Sequence, residues 1–234
     1  MKLWAGTSGF QYKEWKGKFY PEKMPERAML PFYAEHFGST EINYSFRQIP
    51  GEKTIGAWAA ATPERFKFSF KAPQRITHFA KLRGCLDTVE ALAEAIRPLG
   101  EKLGVVLYQL PPTFKKDAPL LTEFLGSLPR DLKAAFEFRH ESWFSDEVYE
   151  ALRAHNAALC LAEDENLATP AVSTADFGYL RLRREDYTAV DLKRWAKFGK
   201  AQASQWSDVF VYFKHEETGS GPVFAKQMLG FLGG

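Results

Sequence analysis

With 234 residues, the chain is sized for one (β/α)₈ barrel, which typically takes about 250, and leaves little for a second domain. Hydrophobic residues make up 45% and charged residues 26%, as in globular proteins with a sizeable core, and a net charge of +2 excludes a bulk attraction to nucleic acid or membrane. Two cysteines, Cys85 and Cys160, supply neither a disulfide framework nor a metal-ligand spacing and point to a reduced compartment.

Short runs of strand character recur at intervals of very roughly 30 residues, the scale of a βαβ unit. Lys2–Gly6 opens the series, and a helix follows at Arg27–Phe37, where Leu30, Tyr33, Ala34 and Phe37 share a face. Thr40–Asn43 is the second strand and Lys67–Lys71 the third. Thr88–Leu99 is then helical, with Val89, Leu92, Ala93 and Ile96 on one side. Strand Gly104–Leu110, helix Pro119–Leu128, strand Ala134–Arg139, helix Asp146–His155 and strand Ala158–Ala162 continue the alternation. Asn166–Phe177 contains Pro170 and no amphipathic period, so the helix of that slot should be short or missing. Strand Gly178–Arg183, helix Asp191–Trp206, strand Val209–Lys214 and helix Val223–Leu232 complete the chain. Asp87, Asp117, Ser145 and Thr188 are the expected helix caps.

Strand–helix repeats without a Ser/Gly-rich linker predict one α/β domain over residues 1–234, a single (β/α)₈ TIM-like barrel with an irregular sixth helix. A doubly wound open sheet fits less well, because Gly6-Thr7-Ser8-Gly9 is not a dinucleotide-binding fingerprint. No apolar run reaches the roughly 20 residues of a membrane span, and the start of the chain turns polar at Thr7. The expected location is the cytoplasm, without a membrane partner.

Alternation within the strands locates a site. In Phe66–Lys71 the three Phe point one way and Lys67, Ser69 and Lys71 the other. Phe136 and Phe138 likewise oppose Glu137 and Arg139, Leu180 and Leu182 oppose Tyr179, Arg181 and Arg183, and Ile42 opposes Glu41 and Asn43. If the apolar sides pack against helices, the charged sides enter the barrel, where charges must pair or line a wet cavity. Glu41, Asn43, Lys71, Gln109, Glu137, Arg139, Asp164, Arg181 and Lys214 are expected at the carboxyl-end rim, where barrels build their sites. An antiparallel sheet with one solvated face would show the same alternation, and salt bridges closing the mouth would use the same charges.

The motifs then resemble those of the DUF72 family, the YecE-like proteins, TIM-barrel proteins of unestablished activity. The matching segments are Gly6 to Pro21 (GTSGFQYKEWKGKFYP), Thr40 to Phe46 (TEINYSF), Phe68 to Pro73 (FSFKAP) with Ile76-Thr77-His78, and Leu107 to Phe114 (LYQLPPTF). Phe136 to Trp143 (FEFRHESW), Tyr179 to Leu182 (YLRL) and Val211 to Phe213 (VYF) follow in the family's order. The resemblance implies the barrel fold. Its pattern is altered late in the chain, where Leu182-Arg183-Arg184, Lys214-His215-Glu216 and Glu163-Asp164-Glu165 stand, while Glu41, Lys71, Gln109, Glu137 and Arg139 keep their places.

Two carboxylates in different surroundings can divide acid and base roles, so Glu41 and Glu137 are candidate catalytic residues. Lys71 is the third, as a proton-transfer group or, if burial lowers its pKa, a Schiff-base lysine; an ion pair with Glu41 or Glu137 is the structural alternative. Arg181, Arg183, Arg184 and Lys214, with the Gly219–Pro222 turn ahead of the last helix, favour an anionic ligand. Asn43, Tyr12, His78, Gln109, Arg139 and Asp164 complete the expected ligand-binding set. His78, His140 and His215 follow strands and could join Glu41, Glu137 and Asp164 on a divalent metal, although neither HxH nor HExxH is present and no metal ligands are assigned. His36 and His155 belong to helices. Tyr12, Trp15, Tyr20 and Trp143 could stack on a ligand, but walling the pocket is the favoured role.

The leading expectation is an enzyme acting by acid–base chemistry on a small phosphorylated or carboxylated molecule. The alternatives are a metal-dependent phosphodiesterase or other nucleic-acid-binding barrel, which needs a basic track beyond the mouth, and a non-catalytic binding module. Composition assigns no cofactor and no oligomeric state.

Overall fold

A computed structural model describes residues 1–164, 168–214 and 219–232. Its eight strands are β1 (Lys2–Thr7), β2 (Ser39–Ile42), β3 (Lys67–Lys71), β4 (Leu103–Gln109), β5 (Lys133–Glu137), β6 (Ala158–Glu163), β7 (Phe177–Leu182) and β8 (Asp208–Phe213). Each predicted strand reappears within two residues of its expected ends. The strands pair in parallel from β2 through β8 and on to β1, giving a (β/α)₈ barrel.

The barrel closes differently between β1 and β2. Among the described residues these strands share one bridge, Ser8 to Glu41, and the Gly9 N–H donates to the Glu41 carbonyl at 2.7 Å. Tyr33 supplies much of the rest of the seam. Its hydroxyl accepts from the Thr7 N–H at 2.7 Å and donates to the Ser39 carbonyl at 3.0 Å, standing in for a ladder bond. Gly6 permits this approach, since a Cβ there would lie 1.9 Å from the Ser39 carbonyl oxygen.

Among the described residues, seven α-helices surround the strands: α1 (Met29–His36), α2 (Glu52–Ala60), α3 (Leu86–Ile96), α4 (Ala118–Gly126), α5 (Asp146–Ala154), α6 (Ala189–Ala201) and α7 (Ser220–Leu232). The sequence reading missed α2, whose apolar face is narrow: Ile55 is its one fully buried residue. Asp117 caps α4 by accepting from the Leu120 N–H at 3.2 Å, and Thr188 forms a capping box with Asp191. The other two caps need correction. Ser145 occupies the N-cap position of α5 without a side-chain cap bond, and Asp87 lies inside the first turn of α3, where its charge favours the helix dipole while Cys85 takes the cap position.

The sixth slot contains no helix among its described residues. An irregular segment is tied to β6 instead: Thr174 Oγ1 accepts from the Leu159 N–H at 2.7 Å, and Thr169 Oγ1 accepts from the Ala162 N–H at 3.2 Å. These hydroxyls satisfy strand N–H groups that would otherwise be buried without partners. Among the described residues no helix is long and apolar enough to cross a membrane.

Two apolar cores follow from the strand alternation. Phe66, Phe68, Phe70, Phe136, Phe138, Leu180 and Leu182 pack outward against the helices. Val105, Leu107, Phe177, Tyr179, Phe210 and Tyr212 form a separate cluster with Ala135 and Cys160 inside the barrel. Above that inner cluster the side chains become polar. The charges of Glu41, Glu137 and Arg181 therefore gather toward the carboxyl end of the strands.

Candidate functional site

The lower half of the site is a buried ion cluster. Glu41 and Glu137 are fully buried, and Arg181 is 2% exposed. Parallel strands with alternating side chains bring β2, β5 and β7 residues to one level. Arg181 bridges the two acids, donating from Nη2 to Glu41 Oε1 at 2.8 Å and from Nη1 to Glu137 Oε2 at 2.5 Å. Glu41 also accepts from Ser8 Oγ at 2.7 Å and from the Tyr179 hydroxyl at 2.6 Å. Glu137 accepts from Gln109 Nε2 at 2.9 Å and from Arg139 Nε, while Arg139 Nη1 donates to Asp164 at 3.0 Å.

This pairing is what makes the buried charges tolerable, since unpaired ions would cost several kcal/mol each. Burial alone would push the Glu137 carboxyl up, but the guanidiniums of Arg181 and Arg139 outweigh it and bring the pKa down to about 2. For Arg181, burial works against the charge, yet Glu41 and Glu137 outweigh burial and hold the guanidinium well above its ordinary value. The one discordant atom is Arg181 Nε, which is buried without a hydrogen-bond partner.

Above the cluster lies a cavity of about 660 Å³, within the range of small-molecule sites. Residues after β2 (Asn43, Tyr44, Phe46, Arg47), at the ends of β3 and β4 (Lys71, Gln109), on and after β7 (Arg181, Arg183) and after β8 (Lys214) line it. No carboxylate is among the described lining residues. Counting the supporting pairs, six cations (Arg47, Lys71, Arg139, Arg181, Arg183, Lys214) meet three described carboxylates (Glu41, Glu137, Asp164). The described part of the site therefore carries an excess of positive charge.

Lys71 is its most distinctive member. Its Nζ stands 3.9 Å from the centroid of the Phe46 ring, and among the described residues no carboxylate lies within ion-pair distance. Burial lowers its pKa most, Arg181 and Lys214 lower it further, and Glu137 and Glu41 recover only part, leaving it at about 8. The alternative Lys71–Glu137 or Lys71–Glu41 ion pair is absent, because Arg181 occupies both acids. Beside Lys71, Arg183 Nη1 is 3.6 Å from Asp164, but Nη1 and Nε are buried without hydrogen-bond partners. Arg183 also lines the cavity, where a guanidinium can receive an anion.

Several expected residues lie elsewhere. Tyr12 donates to the Ser8 carbonyl at 2.6 Å and packs 4.8 Å from the Trp15 ring. It lines a smaller cavity of about 350 Å³ with Phe10 and Trp58, which shares Asn43 and Tyr44 with the cationic one. His78 is half-buried beside the mouth, with Nδ1 at 2.8 Å from Thr77 Oγ1 and its ring edge-on to Phe46; burial and then Lys71 lower its pKa. His140 turns back to accept from the Ser142 N–H at 3.1 Å. His36 is exposed on α1 and His155 is exposed at the C-cap of α5, while Trp15, Tyr20 and Trp143 are buried in the outer core and line neither cavity. Arg184 pairs with Asp186 at 2.9 Å and Asp191 at 3.5 Å rather than lining the cavity. The Gly219–Pro222 turn begins α7, with Gly219 at positive φ against Trp15 and Lys18.

Among the described residues no three His, Cys, Asp or Glu side chains cluster as metal ligands. His215, which on sequence could reach the mouth, lies outside the described residues. The sequence reading missed Tyr44, Phe46, Arg47 and Ser8 as site residues. Tyr44, Phe46 and Ser8 stood inside the quoted motifs, whereas Arg47 follows β2 on an irregular loop without any periodic signal.

The family described as "Protein of unknown function DUF72" matches residues 4–234. The chain is 36% identical over 117 residues to the UPF0759 protein YecE of Escherichia coli (strain K12), a stretch covering 50% of this chain and 43% of that protein. It is 27% identical over 256 aligned positions to the UPF0759 protein YunF of Bacillus subtilis (strain 168), covering 91% of this chain and 89% of the relative. A DUF72 family protein from Thermotoga maritima MSB8 superimposes with a TM-score of 0.88 at 26% identity, over 100% of both chains. One from Enterococcus faecalis V583 shares the fold at a TM-score of 0.80 and 19% identity, covering 99% of this chain and 95% of that one. With the family's match running through every strand of the barrel, the chain belongs to the DUF72 family.

Proposed function

We propose that the protein is an enzyme that holds a small phosphorylated or carboxylated molecule in the cationic cavity and acts on it through acid–base chemistry at Lys71. The carrying observation is the combination of an excess of described cations with one lysine that no described carboxylate neutralises. Arg183 receives the anion, with Arg47 at the rim; Asn43 and Gln109 offer neutral hydrogen bonds. Lys71, with a pKa of about 8, is neutral in a substantial fraction of molecules near that pH and can accept a proton.

Glu41 and Glu137 take a different part from the one their chemistry first suggests. Their oxygens are occupied by Arg181, Ser8, Tyr179, Gln109 and Arg139, so they serve as positioning residues for Arg181. Arg139 and Asp164 brace that arrangement. A small ligand is favoured over a nucleic-acid strand because Arg184, which would extend a basic track, is paired with Asp186 and Asp191. Reduced, buried Cys85 and Cys160 suit the cytoplasm, which we take as the site of action.

Calorimetric titration with inorganic phosphate and with citrate tests the reading. Wild-type protein should bind at least one of them, and Arg183→Ala should weaken that binding by about tenfold. Equal affinity in both proteins, or no binding in either, would remove the cavity as an anion site.

A further inference from the structure

We infer that Lys71 is a nucleophile, and that its amine condenses with the aldehyde or ketone carbon of a phosphorylated or carboxylated ligand to form an imine. This rests on the anion-binding reading above and names the substrate class within it: a small carbonyl compound bearing an anionic group.

Comparison with two other partly buried lysines, Lys102 and Lys133, supports the inference. Lys102 is built as a structural lysine. Its Nζ donates to the Ala59 carbonyl at 2.6 Å, the Thr62 carbonyl at 2.7 Å and Thr62 Oγ1 at 3.3 Å, so its donors are saturated. Lys133 lies over Phe177 but also pairs with Asp208 at 3.1 Å. Among the described residues, Lys71 contacts a ring and makes no ion pair. Its Nζ faces Phe46 at 3.9 Å, and the two nearby acids are already committed to Arg181. A lysine kept for charge alone would not be placed near Arg181 and Lys214 without a described carboxylate in ion-pair distance, because each like charge disfavours the ammonium form. The same surroundings favour a free amine, as in lysines that attack carbonyl groups. Its depressed pKa agrees with this arrangement.

The cavity also supplies the remaining requirements. Arg183, which lines the same cavity, can hold the anionic end while the carbonyl carbon lies against Lys71. The amine lone pair forms the new C–N bond, and the carbonyl oxygen leaves as water with the two protons given up by the amine nitrogen. No oxidant or reductant enters this step. Hydrolysis reverses it with the same water.

Reductive trapping gives the test. Protein is incubated with dihydroxyacetone phosphate, or with pyruvate as the carboxylate counterpart, in the presence of sodium cyanoborohydride. Intact mass and peptide mapping then locate the adduct. One adduct per chain is expected, on Lys71, forming faster as pH rises toward about 8 and slowed by excess inorganic phosphate. Lys71→Arg and Lys71→Met should lack it, with folding checked by circular dichroism, while Arg183→Ala should raise the concentration for half-labelling by about tenfold. Adducts scattered over surface lysines, at equal rates in wild type and Lys71→Arg, would overturn the inference. If calorimetry still detects phosphate in the cavity in that case, the anion reading survives and only the imine fails. A Lys71 adduct indifferent to phosphate would instead retain the nucleophile and refute the anionic substrate class.

Discussion

Two sets of cations share the mouth of this barrel and are treated in opposite ways. Arg181 lies deep, with both terminal nitrogens bonded to fully buried carboxylates that are bonded in turn to Ser8, Tyr179, Gln109 and Arg139. Lys71 and Arg183, a few residues along their strands toward solvent, have incomplete partnerships: one faces a phenyl ring, and the other keeps two nitrogens without hydrogen-bond partners. The deep set is organised for the folded protein itself. On the reading proposed above, the upper set is organised for a ligand. Neighbouring charges therefore need not share a role, and the completeness of their hydrogen bonding separates them better than their charge does.

The largest effect should come from the deep set. Arg181→Ala would strand two buried carboxylates and destabilise the fold by about 3–5 kcal/mol in urea unfolding. Adding Glu41→Gln and Glu137→Gln to that variant should recover part of the loss, because neutral amides are cheaper to bury than unpaired ions. A loss under about 1 kcal/mol for Arg181→Ala would erase the distinction between the layers.

Acid titration reads the same layer without mutation. The Glu137 carboxyl ordinarily titrates near 4.5 and in the fold is brought down to about 2. Its contribution to stability is therefore fully present above pH 4.5 and disappears as pH falls toward 2. The effect is on the order of 3 kcal/mol and should appear as a falling urea midpoint over that window. Glu137→Gln should start less stable and lose less on acidification.

Much of this division was legible in the strands. Period-two alternation placed Glu41, Glu137 and Arg181 inside the barrel because Ile42, Phe136, Phe138, Leu180 and Leu182 had to face helices, and those residues do pack there. Alternation fixes a side of the sheet but not a partner. It could not distinguish an Arg181 that takes both acids from a Lys71 that shares them. Tyr12 was expected at the mouth because its loop follows β1, but packing on Trp15 and a bond to the Ser8 carbonyl carry it to the smaller cavity. Helix α2 escaped detection for a related reason: with Ile55 alone fully buried, its sequence has little apolar stripe to read.

The upper layer predicts smaller changes, one of them in the opposite direction. The Lys71 amine, ordinarily near 10.5, titrates at about 8 in the fold. Between those values the unfolded chain holds a proton that the folded protein releases, so stability rises with pH across the window. Below pH 8 the fold must carry a disfavoured ammonium. Lys71→Met should therefore stabilise the protein by about 1 kcal/mol at neutral pH, after allowance for solvent screening, and flatten the rise above pH 8. Thermal melts at pH 7 and pH 10 measure both effects. Destabilisation at pH 7 would mean that Lys71 holds the mouth together.

Arg183→Ala should change stability least, by about 0.5 kcal/mol or less, because the residue's nearest described carboxylate contact is a 3.6 Å approach to Asp164 without a hydrogen bond. Paired urea unfolding and phosphate calorimetry on this variant bear directly on the alternative that all the mouth charges are structural. If Arg183 closes the barrel as Arg181 does, its removal must lower the urea midpoint substantially whether or not phosphate is present. If it waits for a ligand, the unfolding curve in phosphate-free buffer stays where it was, while the extra stability that phosphate confers on wild type shrinks, since a ligand stabilises a fold only to the extent that it binds the folded state. The same substitution is therefore nearly silent in one buffer and visible in another, a difference that a salt bridge fixed within the protein has no means of producing.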